Sequence, residues 1–92
     1  MVTKIPKSKS HILIKEMGHE AILYSDEDEA IHVLNPTARR IWVLCDGQHD
    51  VEAIERDLRE KFQVPEEHDV RTDVLFTLES FQKKNLLEGS EL

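Results

Sequence analysis

Cysteine is nearly missing from this chain: Cys45 is the only one in 92 residues. A single thiol cannot close an intrachain disulfide or supply a thiolate metal cluster, and such cysteine usage suits a reducing, cytoplasmic setting. Glycine and proline number three each, so there is no glycine-rich phosphate loop and no proline-rich tract. Aromatic residues make up only 5%, which leaves an aliphatic core. Long apolar runs are absent as well. The N-terminal MVTKIPKSKSHILIKEM has basic residues but no signal-peptide core, and no later run is long enough to span a bilayer. Basic charge is scarce: 12 Lys and Arg stand against 19 Asp and Glu, a formal net charge of -7. That field repels phosphate backbones and anionic lipid, and a neutral or basic partner fits it better.

What is present suits one small domain. A chain of this length buries a modest fraction of its surface and has little room for a deep substrate cavity plus a catalytic apparatus. Residues 1–10, with three lysines and few apolar side chains, read as a loosely attached, flexible arm, and residues 89–92 as a tail. Between them, residues 11–88 form the domain. HILIK (His11 to Lys15) suits a strand closed by a turn at Met17 to His19. EAILYS (Glu20 to Ser25) is a second strand, with Ile22 and Tyr24 on one face and Ala21 and Leu23 on the other. The charged DEDE (Asp26 to Glu29) is the hairpin connection to a third strand, AIHVL (Ala30 to Leu34).

A sharp joint follows. Asn35 is suited to cap a helix and Pro36 to occupy its first position, where a missing N–H costs nothing. Ala38, Ile41, Trp42, Leu44 and Cys45 then recur at helical spacing until Asp46-Gly47. Asp50 caps a second helix with Val51, Ile54, Leu58 and Phe62 on one stripe, broken at Gln63-Val64-Pro65. A third helix is expected from Glu66 to Lys84. Acidic residues sit at its positive end, lysines at its negative end, and Asn85 supplies a left-handed terminator. Its apolar row is Val70, Val74, Leu78 and Phe81, with Leu75 to one side. Three antiparallel strands followed by three helices is an α+β, winged helix-turn-helix-like fold.

Catalytic and metal chemistry find no support. The histidines at 11, 19, 32, 49 and 68 show no i, i+3 or i, i+4 pair, so surface histidines are expected rather than ligands, with no metal and no cofactor. Carboxylate pairs such as Asp26/Asp28 and Glu66/Glu67 lie in polar runs that water screens, and Ser25 and Ser80 are read the same way. Cys45 and Trp42 fall on the first helix's apolar face and read as core, whereas Arg39 and Arg40 read as surface charge. No enzyme is expected.

Two binding readings compete. A helix-turn-helix would send the start of the third helix, PEEHDV, into a DNA groove, which places three carboxylates against phosphates. The other surface is the edge of a three-stranded sheet, whose unpaired N–H and C=O groups are a template for a visiting strand. Leu75 is either a groove residue or a plain sheet contact. A purely structural subunit that contacts an enzyme and no peptide is a further alternative.

HVLNPTARRIWVLCDGQHDVEAI, followed by DVLFTLESFQKKNLLE, resembles the PqqD family. The likeness runs through Leu34-Asn35-Pro36-Thr37-Ala38, Trp42, Asp46-Gly47, Val51 with Ile54, and Asp73-Val74-Leu75 to Asn85-Leu86-Leu87, over roughly residues 12–88. The resemblance implies a peptide chaperone, the recognition element of modified ribosomal peptide biosynthesis. Such a domain takes the leader segment of a precursor peptide as an extra strand beside the third helix. It presents that segment to a modifying enzyme such as a radical-SAM protein. Carried onto this sequence, the strand contacts are backbone groups of Ile31, His32 and Val33, ending at Leu34, and the groove wall is Arg71, Val74, Leu75 and Leu78. An edge strand can also pair with its own copy to give a homodimer. In one place the chain departs from the family: members dedicated to pyrroloquinoline quinone carry an apolar, Pro-containing segment before the third strand, where this chain has the acidic SDEDE of Ser25 to Glu29. A relative serving another peptide is therefore expected.

Overall fold

The computed structural model describes residues 5–9, 12–25, 29–65 and 67–88. Its order is β1 (Ile12–Met17), β2 (Glu20–Ser25), β3 (Ala30–Leu34), α1 (Pro36–Leu44), α2 (Val51–Phe62) and α3 (Val70–Lys83). The strands form one antiparallel sheet in the order β1-β2-β3, so the α+β expectation holds. His11, Asp26 to Asp28 and Glu66 lie outside the described residues.

β1 runs to Met17, two residues past the expected end, because Met17 still pairs with Glu20. Only Gly18 and His19 remain for the turn. Gly18 has φ +67, the left-handed geometry that a two-residue hairpin asks of its first loop position and that glycine adopts without a Cβ penalty. Register then sorts the faces. Ala21, Leu23 and Ser25 point inward and are buried, while Ile22 and Tyr24 point outward. Ser25 is thus a correction to the solvated reading: strand parity carries it to 0% exposure, between Ile12 and Ala30.

At the joint, Asn35 accepts the Ala38 N–H at 2.8 Å and Pro36 opens α1. This satisfies one of the free amides of the first turn at the point where β3 stops. α1 lies on the inner face of the sheet, close to β2 and β3, and also packs on α2 and α3, which approach no strand themselves. Trp42 is buried and meets Phe81 edge-on, with centroids 5.4 Å apart. Neither arginine of α1 stands as a free surface charge. Arg40 donates two hydrogen bonds to Asp57 of α2, at 2.8 and 2.9 Å. This paired guanidinium holds the Asp57 carboxyl below its ordinary range against the opposing pull of burial. Arg39 bonds Glu16 of β1.

α3 begins four residues later than its charge pattern implies. Asp69 accepts the Thr72 N–H at 3.1 Å and the Thr72 hydroxyl at 2.6 Å, which makes it the cap. The segment before it is occupied otherwise: His68 N–H bonds Pro65 O at 3.1 Å, and Arg59 donates to Pro65 O and His68 O. At the far end, Asn85 adopts φ 62. Asn85 N–H bonds Gln82 O, and Leu86 N–H bonds Phe81 O, both at 3.0 Å, the paired bonds of a Schellman terminator.

The expected loose arm is pinned where it is described. Gly47 N–H bonds Pro6 O and Ser8 N–H bonds Cys45 O, while Lys9 N–H bonds Leu86 O and Glu88 N–H bonds Lys7 O. Residues 5–9 therefore bridge the end of α1 and the chain beyond α3. Lysine content describes the side chains of this segment and says nothing of its main-chain partners.

Candidate functional site

Among the described residues, β3 has β2 on one side and no strand on the other. In an antiparallel ladder, alternate residues bond each neighbour, so an edge strand keeps half of its amides and carbonyls directed outward. Leu34 is buried and His32 half-buried, whereas Ile31 and Val33 are 66% and 68% exposed. These two project from the sheet face opposite the helices, level with Tyr24 and Ile22 of β2.

No Cα pair closer than 8 Å joins β3 to α3, yet α1 approaches both. α1 is thus the element that packs on both β3 and α3. The sheet's second edge, β1, has no Cα within 8 Å of a helix, though its Glu16 pairs with Arg39 of α1.

At 3.6 residues per turn, α3 divides into three faces. Val74 and Leu78 are buried in the core with Val70 and Phe81. Arg71 points toward α2, where Glu55 lies 3.8 Å away, and the exposed Leu75 lies about 40° further round on the same flank. Of the four α3 residues expected in the groove wall, Val74 and Leu78 are buried in the core, Arg71 reaches toward Glu55, and Leu75 is exposed. The flank opposite Arg71 carries Asp73, Thr77 and Ser80. Thr77 donates its hydroxyl to Asp73 O at 2.9 Å. Asp73 also lines a cavity with Thr37, three residues past the end of β3. The sequence reading missed this polar row, although its 73, 77, 80 spacing follows the apolar row around the helix. It also missed Phe76, which is 73% exposed beside Ser80.

Charge at the site is acidic toward the start of α3. Asp69 is held below the ordinary carboxylate range by its hydrogen bonds from Thr72, and Asp73 pairs with His68 Nε2 at 2.7 Å. Among the described residues, no group of three or more His, Cys, Asp or Glu is placed to hold a metal, and no helix is long and apolar enough to cross a membrane.

The family described as coenzyme PQQ synthesis protein D (PqqD) matches residues 20–87. Among solved structures, the chain is similar to TbiB1 in complex with the TbiA(beta) leader peptide, with a TM-score of 0.80 at 22% identity, over 94% of this chain and 99% of that one. It is also similar to part of the heterocyclase TruD, with a TM-score of 0.63 at 20% identity, over 91% of this chain and 11% of that one. No curated protein matches.

Proposed function

The chain belongs to the PqqD family, and from that premise we propose that it is a non-catalytic, cytoplasmic module that binds the leader segment of a ribosomally made precursor peptide. The peptide adds as a strand to β3 and is presented to a modifying enzyme, a radical-SAM protein being the partner the family resemblance implies. The observation that carries this reading is the β3 edge, left without a second strand partner among the described residues and lying beside α1, which also packs on α3. A second strand edge exists at β1, whose backbone, unlike that of β3, comes within 8 Å (Cα to Cα) of no helix. The main chain of Ile31, His32, Val33 and Leu34 supplies the hydrogen bonds. Thr77 and Ser80, above Val74 and Leu78, supply the facing wall. Arg71 and Leu75, the other α3 positions carried over from the family, lie on the flank nearer Glu55.

Two likenesses support the reading by analogy. TbiB1 shares the fold and holds a leader peptide. TruD carries the fold within a heterocyclase, which fits a module that works beside an enzyme. The acidic run of residues 25–29 favours a precursor other than that of pyrroloquinoline quinone. A homodimer formed edge to edge at β3 would compete with the peptide. DNA binding is disfavoured by Asp69 and Asp73, which the start of α3 would push against phosphates.

Proline replacement tests the strand addition. Because neighbouring residues of β3 direct their N–H groups to opposite sides, His32→Pro and Val33→Pro each remove a different kind of donor. One should weaken the β2–β3 pairing and lower Tm. The other should leave the helices folded by circular dichroism and weaken binding to the leader peptide encoded beside the gene. If both variants stay folded and bind that peptide as the parent does, docking on β3 is wrong.

A further inference from the structure

A cavity of about 310 Å³ opens where α1 begins, α2 ends and α3 begins. We propose that it is an anchor subsite for a large aliphatic or aromatic side chain of the bound peptide, carried just past the Leu34 end of β3 and flanked by a lysine or arginine. The inference rests on the peptide-binding reading and deepens it: it names the side-chain chemistry that the module selects.

Position is the first argument. A visiting strand runs out of partners at Asn35, since Pro36 has no N–H to give. Thr37 follows and lines the cavity. A strand advances about 3.3 Å per residue, so its next two or three residues cross the mouth.

The lining is the second argument. Leu58, Phe62, Val64 and Val70 form the apolar walls. Phe62 continues the buried stripe of α2, yet it is 41% exposed because it borders this open space. The space is held open by structure around it. Gln63 ends α2 in the left-handed conformation with φ 50, an uncommon state for a residue with a side chain. Arg59 donates to Pro65 O at 3.1 Å and to His68 O at 2.7 Å, which clamps the loop that makes the outer wall. A preformed, mostly apolar concavity with a few polar groups at its rim is the usual form of a recognition pocket.

Charge is the third. Glu67, Asp69 and Asp73 stand in or beside the segment that forms the mouth. Arg59 holds its guanidinium against this same loop, while Arg71 lies 3.8 Å from Glu55, so two arginines stand against the carboxylates of Glu55, Glu67, Asp69 and Asp73. The local field complements a cation next to the apolar anchor, as the net charge of -7 does for the whole chain.

Selection from a random dodecapeptide phage library against the full chain tests the proposal. Selected peptides should carry one large apolar residue beside Lys or Arg, at one end of an alternating segment. Alanine at that anchor should weaken binding to the parent chain about tenfold, and Phe62→Asp should do the same. The two changes together should cost no more than either alone, the mark of a shared contact. Phe62→Ala serves if the aspartate variant does not fold, and the anchor substitution on the peptide needs no protein variant at all. If peptides bind and shift the Ile31 to Leu34 amide resonances, but anchor alanine and the Phe62 variants have no effect or act additively, the cavity is not a subsite and strand addition stands. If no peptide is selected, or none shifts those amides, both fall together.

Discussion

Asn35 and Pro36 stop a strand and start a helix within two residues, and that abruptness leaves the β3 edge standing free beside α1. Both roles are legible from residue type alone, because a capping side chain and a missing N–H act locally. Cys45 is legible for the same reason, as part of an apolar helical row. Ser25 and Phe76 are not. The polarity of Ser25 argues for water, while strand parity carries it inside; Phe76 is apolar by type and yet stands 73% exposed. At this scale one prediction is direct. Burial pushes the Cys45 thiol up to about 12, with the neighbouring Asp46 charge adding to the effect. The thiolate is the reactive form, so native protein at neutral pH should react with Ellman's reagent orders of magnitude more slowly than protein in guanidinium chloride. Equal rates would contradict the buried placement.

Elements were legible to the extent that their ends are set by their own residues. β2, β3, α1 and α2 fall where their patterns and caps put them. α3 differs because its start depends on a non-local partner: Arg59, on α2, takes the carbonyls of Pro65 and His68, and Asp69 caps what is left. The same dependence governs the flanks of α3. Periodicity identifies the buried row of α3, but it cannot say which flank lies nearer α2. That is decided by Arg71 approaching Glu55. The joint itself yields an element-scale prediction. Asn35→Ala removes the acceptor of the Ala38 N–H and should destabilise the fold by about 1 kcal/mol. This should be read as a lower urea midpoint with an unchanged slope. An unchanged midpoint would mean that the cap contributes nothing to holding the joint.

For the whole molecule, the arrangement is a division of labour between two sheet faces and two sheet edges. The inner face carries the core against α1, and α1 in turn spaces α3 away from β3. Residues 5–9 tie the end of α1 to the chain beyond α3. The family could be read from sequence because the joint, Trp42, Asp46-Gly47 and the α3 ending occur in order. The cavity beyond Leu34 could not, since its walls come from three separate elements and a loop whose shape depends on Arg59. Edge asymmetry is the central claim, and hydrogen exchange on the full chain addresses it most directly. With a library-selected peptide bound, amide protection should rise at Ile31 to Leu34 and stay unchanged along β1, Ile12 to Met17. Protection gained at β1, or at neither edge, would contradict the account.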